Sequence, residues 1–268
     1  MKEKFRVILL YVCIAVFSIS VAYIVYNQYT MYQENQQFQE LQSSKSKAES
    51  VLESEANRKG EDSTSQENEI VQEEKNILPE YKQLYEENPD LYGWIKIEDS
   101  IVDYPVMYTP DDPNFYLYRN WQKEETTSGS IFIDGRSNED TQNLLVYGHN
   151  MKNGTMFGSL DKYKDKAYYD QHKYIQFDTV YEKATYEIIA VSRGIVYYEN
   201  EPQNEFLFYE HIELNSEEEF NDYISYMKEN SYYEIDSTAE YGDEIITLCT
   251  CDYWTDNARL LIVAKKIK

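Results

Sequence analysis

Along its length the chain is first apolar, then polar, then alternating. From Val7 to Tyr26 no side chain carries a charge, and about 20 helical residues are enough to cross the roughly 30 Å hydrocarbon layer of a bilayer, so this run predicts one transmembrane helix. Residues 27–77 are rich in Gln, Glu, Ser, Asn and Lys, with no aromatic residue between Phe38 and Tyr81. Such a stretch buries too little apolar surface to offset the entropy of ordering, and it reads as a polar stalk with a solvated helix near Phe38 to Leu52.

The pattern changes at Leu78, where the folded domain, residues 78–268, is expected to begin. Pro79 suits the first position of a helix, Leu84 and Tyr85 would dock it, and Asn88-Pro89 would end it. Short β-branched and aromatic runs bounded by Gly, Pro, Asp or Asn then predict eight strands: Gly93 to Ile97, Val102 to Met107, Ser130 to Asp134, Leu144 to His149, Tyr174 to Thr179, Tyr186 to Arg193, Glu244 to Cys251 and Arg259 to Lys265. Between the sixth and seventh, Ser216 and Glu219 form a capping-box pattern. Phe220, Tyr223, Ile224 and Met227 follow at i, i+3, i+4 and i+7, which predicts an amphipathic helix over Ser216 to Asn230. Eight short strands with few helices point to a mainly β fold, a closed barrel or a sandwich, rather than a parallel α/β sheet.

Charge changes the picture in two ways. Lys2, Lys4 and Arg6 precede the apolar run and the next basic residue is Lys45, so the positive-inside rule puts residues 1–6 in the cytoplasm and everything after Tyr26 outside the cell. A cleaved signal peptide ending near Ser18 or Ser20 is the competing reading, but the apolar run continues to Tyr26, too long for a signal core. The net charge of -24, from 25 basic and 49 acidic residues, leaves no basic face for phosphate and argues against a nucleic-acid partner. No Cys/His ligand spacing or EF-hand loop appears, so neither a metal nor a cofactor is expected.

Of the three cysteines, Cys13 lies in the apolar run and Cys249 and Cys251 are two apart, which is no disulfide framework. An apolar strand instead runs into Cys251, and after a polar turn Arg259 opens the next strand. A thiolate is a nucleophile, and a nearby guanidinium both favours it and supplies donors to the oxyanion formed when it attacks a carbonyl. His149 closes another apolar strand at the mouth of the expected barrel, where it can serve as the acid/base partner. His172 and His211 sit in polar connections where solvated roles are expected. A reversible Cys249–Cys251 bridge is conceivable because residues i and i+2 of a strand share a face, although so small a ring is strained.

These residues resemble the sortase family. Thr247-Leu248-Cys249-Thr250-Cys251 matches its TLxTC motif, with Cys249 in the variable position. Arg259 matches the downstream arginine and Tyr147-Gly148-His149 the histidine region. Tyr92-Gly93-Trp94-Ile95, Tyr104-Pro105-Val106, Tyr116-Leu117 and Gly129-Ser130-Ile131-Phe132 are similar to class B sortases, as is the helix inserted between strands 6 and 7. The resemblance implies an eight-stranded sortase barrel and transpeptidation at the surface of a Gram-positive cell. Cys251 would attack the Thr carbonyl of an Asn-Pro-x-Thr-like sorting signal on a secreted protein. A peptidoglycan or precursor amine would then resolve the thioester. His149 would transfer the protons and Arg259 would hold the carbonyl or oxyanion, with Tyr147, Leu117 and Thr250 lining the substrate groove. Hydrolysis without transfer and pilin polymerisation are the alternatives. A papain-like fold would place its Cys at a helix start with the His after it, the reverse of the order here, and a tethered binding domain would leave the Cys, His and Arg without a role.

Overall fold

The computed structural model describes residues 2–59, 76–137, 141–198 and 205–268. They fall into two compact units, one ending at Ser44 and one comprising Lys45–Lys268. Helix α1, Lys2–Lys59, runs through the apolar segment and into the polar one. It is long and apolar enough to cross a membrane by length and composition. The expected stalk is therefore helical as far as Lys59, and its residues 60–75 lie outside the described residues.

In the second unit α2, Pro79–Glu87, starts on Pro79 and buries Tyr81 and Leu84. Asn88 ends it and is itself buried, its amide donating to the Tyr116 hydroxyl and the Trp121 carbonyl. Eight strands follow: β1 Leu91–Lys96, β2 Asp103–Met107, β3 Ile131–Ile133, β4 Asn143–Tyr147, β5 Tyr174–Thr179, β6 Thr185–Ile195, β7 Ile245–Cys251 and β8 Ala258–Lys266. They close into a barrel in the order β1-β2-β3-β4-β7-β8-β6-β5, with β1 pairing β5 across the seam. Pairs β2–β3 and β4–β7 are parallel and the rest antiparallel. A short α3, Lys166–Gln171, precedes β5.

Helix α4, Glu217–Glu229, is the one foreseen between β6 and β7. The Ser216 hydroxyl accepts from the Glu219 N–H, and Phe220, Tyr223, Ile224 and Met227 are buried. They pack on Leu145 of β4, Ile245 and Cys249 of β7, and Leu261 and Val263 of β8. Each such side chain contributes roughly 1.5–3 kcal/mol on burial. The contact face is the outer side of the barrel wall, since alternation sends Ile246 and Leu248 the other way. The Tyr223 hydroxyl pairs with the buried Thr247 hydroxyl, which donates to Asn143, whose amide donates to the His211 carbonyl. The buried hydroxyls of Tyr223 and Thr247 and the Asn143 amide thereby find partners in one another and in the His211 carbonyl, as burial demands.

Candidate active site

Strand pairing brings the three singled-out residues together. Cys251 is the last residue of β7 and lies opposite Arg259 of β8. The neighbouring N–H of Asp252 bonds the Ala258 carbonyl, which makes Cys251 and Arg259 a non-hydrogen-bonded pair. Such pairs have Cα atoms only about 4.5 Å apart and side chains on one face. On the other edge of β7, parallel β4 sets Tyr147 beside Cys249, and His149 follows two residues later, where it lines the same cavity as Cys251. Gly148 allows this course, because a Cβ there would lie 2.5 Å from Ile131 Cδ1 and 2.7 Å from the Phe157 ring. Strand β4 ends at Tyr147, two residues before the expected end, since the chain turns away after Gly148.

Thiol, imidazole and guanidinium line one cavity of about 290 Å³, together with Leu117, Tyr147, Thr250, Tyr198 and Phe208. The cavity lies on the outer face that α4 and the β6–β7 connection cover, not at the barrel mouth where His149 was expected. The reason is alternation: Cys251 shares a face with Cys249 and Thr247, and that face looks outward.

His149 Nε2 lies 2.8 Å from the Leu117 carbonyl. A carbonyl only accepts, so Nε2 carries a proton and Nδ1 remains to exchange one. The Tyr118 ring packs against the imidazole at 5.3 Å between centroids. Arg259 is half-buried, and its guanidinium donates to the Ala258 carbonyl at 2.9 Å and the Tyr198 hydroxyl at 2.8 Å. Burial alone would lower its pKa, but the negative charge of Cys249, Cys251 and Tyr198 in their ionised forms, with the Tyr198 hydrogen bond, outweighs this and holds it above its ordinary value.

Cys249 is fully buried, which pushes its thiol up to about 12 although Arg259 pulls the other way. Both cysteines are free thiols, and a thiol so raised is a poor partner for disulfide exchange at neutral pH. Thr250 points to the opposite face and donates to the Gly148 carbonyl at 2.7 Å. His172 and His211 stand apart from the cavity. Neither is simply solvated: His172 stacks on Tyr168 at 3.9 Å, and His211 packs on Phe206 at 4.1 Å, burial lowering its pKa.

Asp134, Arg136 and Tyr209, which also line the cavity, were not singled out in the sequence. Tyr147 donates to Asp134, and Arg136 grips Asp134 with Nε and Nη2 while reaching Glu210 and the Tyr209 carbonyl. The hydrogen bonds of Arg136 to Asp134 outweigh burial and hold the Asp134 carboxyl below its ordinary range. This latch joins the β3–β4 corner to the β6–β7 connection. Among the described residues no cluster of His, Cys, Asp or Glu is arranged to hold a metal ion.

A closed barrel with a thiol, an imidazole and a guanidinium at the ends of three adjacent strands has the architecture of a cysteine transpeptidase. The Sortase domain family model matches residues 95–267, and the chain belongs to the sortase family, with class B as its place within it. It is 33% identical over 195 residues to sortase B of Listeria monocytogenes, covering 71% of this chain and 75% of the relative. The crystal structure of Clostridium perfringens sortase B is 35% identical, covers 70% of this chain and 99% of that one, and superposes with a TM-score of 0.61. A Staphylococcus aureus sortase B–substrate complex shares the fold at a TM-score of 0.68, with 24% identity over 88% of this chain and 97% of that one.

Proposed function

We propose that this sortase is a membrane-anchored transpeptidase that cleaves an Asn-Pro-x-Thr-like sorting signal and joins the released protein to a cell-wall amine. The observation that carries the reading is the convergence of Cys251, His149 and Arg259 on one cavity. His149 Nδ1 takes the thiol proton of Cys251, Cys251 Sγ attacks the Thr carbonyl carbon, and Arg259 donates to the oxygen as it becomes an oxyanion. The tetrahedral intermediate collapses to a thioester as His149 Nδ1–H gives its proton to the leaving amine. An incoming wall amine then attacks the thioester and passes a proton to Nδ1, and Cys251 leaves as the thiolate.

The groove and the family support this substrate class. Tyr147 and Leu117 line the cavity, and the Leu117 carbonyl also orients the imidazole. Thr250 borders the same space, but its hydroxyl is taken up by Gly148, so it acts through shape rather than by bonding substrate. A Staphylococcus aureus sortase B of the same fold is described as a complex with its substrate, in keeping with a substrate-binding role for the fold.

The test is a fluorogenic Asn-Pro-x-Thr peptide incubated with the full chain in detergent, with and without an oligoglycine amine. Cleavage with a transfer product that grows with amine concentration is expected. Cleavage with no transfer product at any amine concentration would make the chain a hydrolase, and no cleavage would remove the sorting-signal assignment.

A further inference from the structure

The geometry assigns to Asn150 the role of a positioning residue that holds His149 beside Cys251. This inference rests on the transpeptidase reading. It starts from the hydrogen-bond ladder between parallel strands β4 and β7, which runs by twos. Gly148 N–H donates to the Cys249 carbonyl at 3.2 Å, so the next rung from the β4 side should run from the N–H of residue 150 to the Cys251 carbonyl. The main chain of Asn150 has by then left the sheet and pairs with Met156 across the 149–157 loop, which Phe157 N–H to the His149 carbonyl also closes.

The missing rung is made by the side chain instead, for Asn150 Nδ2 donates to the Cys251 carbonyl at 2.8 Å. His149 therefore sits between two ties. Its main chain is stitched through Asn150 to the nucleophile's own residue, and its ring is held by the Leu117 carbonyl. Without the amide, the last backbone rung between the two strands is at Gly148, and on that side Asn150 keeps only the long 3.4 Å bond from the Tyr253 hydroxyl to its carbonyl. The far end of the loop stays anchored by buried Met156 and Phe157, so the segment around His149 and Asn150 is what loses its short tie to β7, and misplacing a reacting group by about 1 Å can cost 100-fold in rate. Asn150 touches no reacting atom in this arrangement.

The test uses the full chain in detergent with Asn150→Ala and with Asn150→Asp, which keeps the shape but loses the donor. Turnover of the sorting peptide should fall about 10- to 100-fold in kcat with KM within about twofold of wild type. In a His149→Ala background, Asn150→Ala should add nothing. Selective ¹⁵N labelling of the histidines gives a readout that needs no substrate: the His149 ring should show the Nε2–H form in wild type and lose that single-tautomer signature in both Asn150 variants. An unaltered imidazole signature in the variants would overturn the proposal, whether or not kcat falls. Should wild type cleave no sorting peptide, the functional reading fails by itself, and the imidazole signature still decides the role of Asn150.

Discussion

At the residue scale, two thiols two positions apart both border the cavity but differ in burial, Cys249 being packed in the cluster with the α4 side chains and Cys251 part-exposed. Cys251→Ala should abolish peptide cleavage. Cys249→Ser should keep most of it, since a thiol raised to about 12 is protonated at neutral pH and takes no part in attack. The serine hydroxyl would enter an apolar cluster at a cost of about 1–3 kcal/mol, so turnover should be compared below the variant's melting temperature. The opposite ranking of the two variants would reassign the nucleophile. Arg259→Ala removes an oxyanion donor and should lower turnover by about 10² to 10³. Lysine should restore only part of it, because a point charge cannot bond the Ala258 carbonyl, Tyr198 and the oxyanion with one planar fork. Near-normal turnover in Arg259→Ala would remove this residue from the mechanism. The structure sets Cys251, Arg259 and His149 around one cavity, and all three were singled out in the sequence by their places at or next to the ends of apolar runs and by the sortase motifs. Asn150, Asp134 and Tyr198 were not, since nothing local marks an amide, a carboxylate or a phenol whose partner lies 13 to 101 positions away.

At the scale of elements, the turn between β7 and β8 is fixed by Asp252, the residue after the nucleophile. Its carboxylate accepts from Lys164 at 2.7 Å, the Tyr232 hydroxyl at 2.8 Å and the Tyr253 N–H at 2.7 Å. Burial alone would raise its pKa, but the bonds from Lys164 and Tyr232 outweigh it and leave the folded-state pKa below the ordinary carboxyl value. A depressed carboxyl stabilises the fold above its unfolded pKa of about 3.9, and the contribution is lost as pH falls through the folded pKa. Thermal unfolding of wild type and Asp252→Asn should therefore differ at neutral pH and converge below about pH 4. A gap that persists undiminished in acid would show that the carboxylate charge is not what holds the turn. The strands themselves were readable from alternation and bounding turn residues. Their ends were less so: β4 stops at Tyr147, just before a position where a Cβ would lie 2.5 Å from Ile131 Cδ1 and 2.7 Å from the Phe157 ring, and those neighbours are supplied by other parts of the fold.

At the scale of the whole molecule, residues 7–26 form the uncharged part of α1, preceded by three basic residues. Anchoring by this segment with the catalytic unit outside predicts two behaviours. The wild-type chain should sediment with membranes and be digested by protease added to intact protoplasts, whereas a chain with residues 7–26 replaced by a polar sequence should stay soluble and protected inside. Protection of the wild-type catalytic unit would reverse the topology. What the sequence alone determined is whatever repeats or terminates within a few residues: the apolar run, the strand alternation, the capped helix α4, and the thiol, imidazole and guanidinium at strand ends. Only the tertiary structure decided which strands became neighbours and which face of the wall carries the site. It also decided that a side-chain amide replaces a backbone rung beside the nucleophile. Periodicity is a property of one segment, whereas register, facing and hydrogen-bond partners belong to pairs of segments that meet only once the barrel has closed.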